Sequence, residues 1–150
     1  MENNVQCPVD FVSMNENKAR VTAFFVLLLG GTFLITNSWV IMAFLVIDFL
    51  LRANNLGKYS LLAILSDVVI KQFNIKNKPT DRAPKRFAAG VGLLFTAGIL
   101  ILTLLNLTTA VLIVTSVLIL FAFLEAFLGF CAGCRVYSML NKLSNSLKNN

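Results

Sequence analysis

Four apolar runs constrain this chain more than any other feature: residues 19–36, 38–51, 87–105 and 109–130. A helix crossing a hydrocarbon core needs about 20 such residues. The second run is short, and it qualifies only as a segment 38–52 that takes Asp48 and Arg52 into its end. Hydrophobic residues make up 57% of the sequence and charged residues 13%, so there are no polar helices to shield these runs from water. The expected fold class is all-α: an integral membrane four-helix bundle with a short interfacial amphipathic helix between its two halves.

The charges orient the bundle. All 13 Lys and Arg residues fall at the start of the first run (Lys18, Arg20), between the second and third (Arg52 to Arg86), or after the fourth (Arg135, Lys142, Lys148). The turns around Asn37 and Asn106 carry no charge. The positive-inside rule then puts both termini and the middle loop in the cytoplasm, with the lipid bilayer as the first partner. A net charge of +6 is an orientation and headgroup signal here. No nucleic-acid partner is expected, because the cations are not gathered on a soluble face with aromatics between them.

One membrane domain is expected over 1–150. Its parts are a cytoplasmic segment 1–18, crossings at 19–36, 38–52, 87–105 and 109–130, and a cytoplasmic cysteine turn and tail at 131–150. Between the halves lie an interfacial helix 60–73 and a basic linker 74–86. In the interfacial helix Leu61, Leu65, Val68, Val69 and Phe73 recur at helical spacing among Ser66, Asp67, Lys71 and Gln72. Pro84 falls where the first turn of the third crossing accepts proline. The start of the chain is polar and lacks a small-residue cleavage site after the first run, so that run is expected to be retained.

Within the crossings, Gly30-Gly31 and the set Ala88, Gly90, Gly92, Ala97 and Gly98 are expected to allow close helix contacts. Asp48 and Arg52, four apart with the acid first, are expected to pair. Glu125 has no cation one turn away, so its partner should come from another element, with Arg20 or Arg52 as candidates. The two halves also echo each other. Basic starts precede the first and third runs, Asp48 and Glu125 end the second and fourth, and Gly57-Lys58-Tyr59-Ser60 recurs loosely as Gly133-x-Arg135-x-Tyr137-Ser138. This reads as two parallel two-helix repeats related by an axis along the membrane normal.

The chain resembles a bacterial family of small membrane proteins known only as domain of unknown function 4395. The resemblance rests on Cys7-Pro8-Val9, Asp48-Phe49-Leu50-Leu51-Arg52, Tyr59-Ser60, Ala83-Pro84-Lys85-Arg86-Phe87-Ala88, Phe123-Leu124-Glu125-Ala126 and Gly129-Phe130-Cys131-x-Gly133-Cys134. It implies a bacterial cytoplasmic membrane protein. Through the genes neighbouring some relatives, it also implies thiol or sulfur chemistry with a thioredoxin-like or sulfurtransferase partner.

The topology puts all three cysteines, Cys7, Cys131 and Cys134, on the cytoplasmic side. A CxxC pair in a reducing compartment is more often redox-active or metal-binding than structural. Residues three apart on an unbroken helix are too far apart for a disulfide, so a Cys131–Cys134 bond would require a break at Gly133. With such a break Cys134 would start a new helix, where the dipole and Arg135 lower its pKa.

The first functional hypothesis is a thiol-redox or sulfane-sulfur relay using Cys131 and Cys134 with Cys7 as resolving thiol, supported by Gly129, Gly133, Arg135 and Tyr137. The alternatives are a soft-metal site on the same three thiolates, a small transporter built around Glu125 as a homodimer, and a non-catalytic scaffold or assembly protein. No cofactor is expected. Soluble enzyme classes are excluded by the absence of histidine, of a phosphate-cradling glycine motif and of a nucleophile elbow.

Overall fold

The computed structural model describes residues 13–129 and 132–148. Among them are six α-helices and one two-stranded ribbon, in the order β1 (Ser13–Asn15), α1 (Glu16–Thr36), α2 (Trp39–Ala53), α3 (Leu61–Gln72), β2 (Pro79–Asp81), α4 (Arg82–Leu104), α5 (Thr108–Phe123) and α6 (Ala132–Lys148). A 3₁₀ turn at Gly57–Tyr59 leads into α3, and a π-helical turn at Leu124–Leu128 extends α5.

Three helical stretches, Glu16–Thr36, Lys85–Leu104 and Thr108–Leu128, are long and apolar enough to span a membrane. Their outward faces stay apolar: Ile35 is 87% exposed and Leu94 74%, which suits hydrocarbon and not water. The 15 residues of α2 rise roughly 22 Å at about 1.5 Å per residue, less than the roughly 30 Å of a hydrocarbon core. Asparagines close both hairpins on the far side from the cations. Asn37 (φ 49°) ends α1 and Asn106 (φ 56°) follows α4, each in the left-handed conformation that Asn tolerates best after Gly.

The core is a continuous apolar cluster that includes Val26, Phe33, Met42, Leu45, Phe49, Ile99 and Leu118. Helix α2 packs on α4, α5 on both α1 and α4, α3 on α1, and α6 on α4. Two glycines of the expected set make close approaches. Gly30 meets the Ile119 side chain across α1 and α5, and Gly92 leaves room for the Phe49 ring across α2 and α4. Gly31, Gly90 and Gly98 face open space, which corrects the expectation that the whole small-residue set mediates packing.

The expected Asp48–Arg52 pair is also corrected. Asp48 is 2% exposed, and its Oδ1 accepts from the Ser60 hydroxyl (2.6 Å) and the Leu62 amide (3.2 Å), so it caps α3. A buried carboxylate at this depth gains more from two fixed donors at a helix start than from a cation near the surface. Ser60 in turn accepts from the Ala63 amide.

Helix α3 presses Leu62, Ala63 and Ser66 against α1, leaving Leu61, Leu65 and Val68 exposed as an outward apolar stripe. The Thr22 and Ser66 hydroxyls meet at 2.8 Å between the two helices, and Lys18 pairs with Asp67 at 2.6 Å beside them.

The antiparallel ribbon sets Ser13 opposite Asp81, Met14 opposite Thr80 and Asn15 opposite Pro79. Around it Glu16 bonds Lys78 twice, through its amide to the Lys78 carbonyl (2.8 Å) and through its carboxylate to the Lys78 ammonium (2.9 Å). The Asn17 side chain donates to the Lys76 carbonyl at 2.7 Å. The basic linker expected at 74–86 therefore latches the start of α1 through Lys76 and Lys78, and its last residues, 82–86, open α4.

Candidate functional site

The starts of α1 and α4 and the ends of α2 and α5 lie together. Arg86 Nε donates to the Ala53 carbonyl at 2.8 Å, tying α4 to α2, and the Arg20 guanidinium lies against Gly129, tying α1 to the π turn after α5. Between these helix ends is a cavity of about 320 Å³. Small residues make the room: Ala19 and Ala23 on α1, Ala89 and Gly92 on α4, and Ala122 on α5. Among the described residues, Lys18, Arg52, Lys85, Arg86 and Glu125 supply the charged part of its lining.

Each charge has a structural reason to be there. Lys18 stands in the first turn of α1 and pairs with Asp67. Arg52, in the last turn of α2, lies over the Phe49 ring at 5.3 Å, and its charge favours a helix C-terminus. Glu125 is half-buried in the π turn, with Arg52 and Lys85 as its charged neighbours. Of the two cations expected near it, Arg52 is there. Arg20 instead bonds Glu16 at 3.3 Å.

The cysteine region is described in part. Cys7 and Cys131 lie outside the described residues, and Cys134 is placed by its backbone alone. The helix break comes at Gly129 (φ 63°), which caps the π turn, and not at Gly133, which lies within α6. A side chain at Gly129 would collide with Arg20, so two independent constraints hold glycine there. Cys134 is thereby in the first turn of α6, followed by Arg135, and Tyr137 packs on Phe87 of α4 with ring centroids 5.5 Å apart. Among the described residues no three His, Cys, Asp or Glu side chains are grouped to hold a metal ion.

Residues 14–142 match the family described as Domain of unknown function (DUF4395), a match that runs from β1 through most of α6. The chain belongs to the DUF4395 family. No curated protein and no solved structure matches it.

In this DUF4395 chain, sequence reasoning missed Lys18, Lys85 and Arg86 as parts of one site. A signal was present: Lys85-Arg86 is followed at helical spacing by Ala88, Ala89 and Gly92, which puts cations and small residues on neighbouring positions of one helix. Sequence reasoning also missed Ser60 as the cap of α3, although a serine just before an apolar helical pattern is an N-cap signature.

Proposed function

We propose that this is a four-crossing protein of the bacterial cytoplasmic membrane, made of two repeats, with a thiol-redox or sulfane-sulfur relay on its cytoplasmic face. The repeat reading is supported by matching packing. Each half runs strand, long helix, second helix, third helix; α3 lies on α1 as α6 lies on α4, and α2 lies on α4 as α5 lies on α1. A ribbon formed by the two equivalent strands is what a twofold axis would give. The fourth crossing is α2, whose shortfall in length is of the kind met by local bilayer thinning and a snorkelling Arg52. Its basic end faces the cytoplasm.

One observation carries the relay: the break at Gly129 and restart at Ala132 put Cys134 in the first turn of a 17-residue helix. The amide dipoles there and the adjacent Arg135 favour thiolate over thiol. In the redox form of the relay, a thiolate of the Cys131/Cys134 pair attacks a disulfide of a thioredoxin-like partner and the second thiol resolves the mixed disulfide. Two electrons and two protons pass to the partner, leaving the pair oxidised, with Cys7 as the alternative resolving thiol. In the sulfur form, the same thiolate attacks the outer sulfur of a sulfurtransferase persulfide, forming its own persulfide as the donor's S–S bond breaks and the donor cysteine leaves as thiolate.

The test is differential alkylation of the full-length protein in membranes, combined with intact-mass measurement after mild oxidation. The proposal expects one cysteine to alkylate well below the pH of an ordinary thiol, and a reversible loss of two hydrogens that Cys134→Ser abolishes. Three thiols with ordinary reactivity and no reversible mass change would end it.

A further inference from the structure

Helix α6 has two chemically different sides. With 3.6 residues per turn, Met139, Leu140, Leu143 and Leu147 fall within an arc of roughly 100°. Each of the four is between 53% and 76% exposed. Tyr137, which packs on Phe87 of α4, lies outside that arc, so docking on α4 leaves the stripe uncovered. Lys142 and Lys148 are exposed on its two flanks, and residues 132–148 contain no Asp or Glu. The exposed Asn145 stands on the opposite side.

We propose that α6 lies in the headgroup region of the leaflet that α4 enters, with its stripe at the acyl boundary and Lys142 and Lys148 on anionic lipid headgroups. The 17 residues of α6 are too polar to cross a bilayer and too apolar on one side for water, the composition of a helix that lies in the interface. Continuity with α4 sets the depth. Phe87 stands at the start of the span Lys85–Leu104, so its ring contact holds the beginning of α6 where that crossing begins, a level that tyrosine favours. Charge selects lipid over a second copy of the chain. Two α6 helices face to face would oppose lysines to lysines with no acid between them, whereas anionic headgroups complement both. Helix α3 repeats the arrangement on α1, with Leu61, Leu65 and Val68 exposed, and a rotation about the proposed axis along the membrane normal turns both stripes to one leaflet. The inference rests on the reading of α4 as a membrane crossing and not on the thiol relay.

The experiment uses full-length protein in nanodiscs of mixed phosphatidylglycerol and phosphatidylcholine, with Cys7, Cys131 and Cys134 replaced by serine and one nitroxide label at a time. Collisions with oxygen and with a water-soluble nickel chelate read the depth of each label. Labels on Met139→Cys and Leu143→Cys should be reached by oxygen and shielded from the chelate, as on Leu94→Cys within the α4 span, and a label on Asn145→Cys should be open to the chelate. Pure phosphatidylcholine, or Lys142→Gln combined with Lys148→Gln, should lift the helix, lowering the ratio of shielded to open label by roughly fivefold per lysine. High salt should act in the same direction.

Labels at Met139 and Leu143 open to the chelate while that at Leu94 is shielded would overturn this proposal alone. An open label at Leu94 would overturn the crossing of α4 and the proposal with it. Shielding that is the same in pure phosphatidylcholine would overturn the headgroup contact, and a short label-to-label distance between two copies would then assign the stripe to a dimer.

Discussion

The carboxylate of Asp48, on α2, accepts the Ser60 hydroxyl at 2.6 Å and so fixes where α3 begins. The same oxygen takes the Leu62 amide, and Asp48 and Ser60 are both almost fully buried. Asp48→Ala removes the acceptor and leaves two buried donors, a loss of about 2 to 4 kcal/mol. Asp48→Asn keeps an acceptor in place and should cost markedly less. Denaturant unfolding in detergent measures both, and equal losses would mean that the cap is not what Asp48 contributes.

Gly129 and Arg20 form a second dependency. Gly129→Ala puts a Cβ into the guanidinium and imposes a left-handed conformation on alanine, at about 1 to 2 kcal/mol for the backbone alone. In an Arg20→Ala background the collision disappears and the backbone cost remains, so the two substitutions should be less than additive. A double-mutant cycle on thermal stability reads the difference.

The Thr22–Ser66 contact behaves differently, because each hydroxyl can also donate to the carbonyl four residues before it, that of Lys18 or of Leu62. Each hydroxyl has a single proton, so one of the three bonds is always idle. Thr22→Val or Ser66→Ala therefore strands no donor, and each should cost only about 1 kcal/mol. Adding the second substitution to the first should cost little more. Losses above about 3 kcal/mol for either single variant would contradict this sharing.

Orientation is checked by single cysteines placed in a background free of the native three. Labels at Asn37 and Asn106 should react with an impermeant maleimide from outside intact cells, and a label at Lys78 only after the membrane is opened. Reaction of Asn37 and Asn106 from opposite sides would refute the even number of crossings.

Much of the architecture was legible because it depends on local chemistry. The apolar runs located α1, α4 and α5, and the uncharged turns at Asn37 and Asn106 are where the helices reverse. What escaped depends on pairings distant in sequence. Nothing in Pro79-Thr80-Asp81 announces a strand, since three residues gain that conformation only by meeting Ser13–Asn15. Asp48 followed by Arg52 satisfies a helix-pair rule, yet the carboxylate turns to Ser60, a residue that becomes its neighbour only after the chain has doubled back. The cavity was hidden for the same reason: Lys18, Arg52 and Lys85 are isolated cations in sequence and a cluster only once three helices converge.

The β1–β2 ribbon has a consequence for biosynthesis. Its first strand leaves the ribosome well before its second, and at about 5 to 20 residues per second the wait lasts several seconds. Throughout that interval α1 has no clasp at its base, and Glu16 lacks Lys78 as counterion. A nascent chain arrested before Pro79 should thus be far more open to protease at Met14 than one arrested far enough beyond Asp81 for both strands to have left the ribosome and the clasp to have closed.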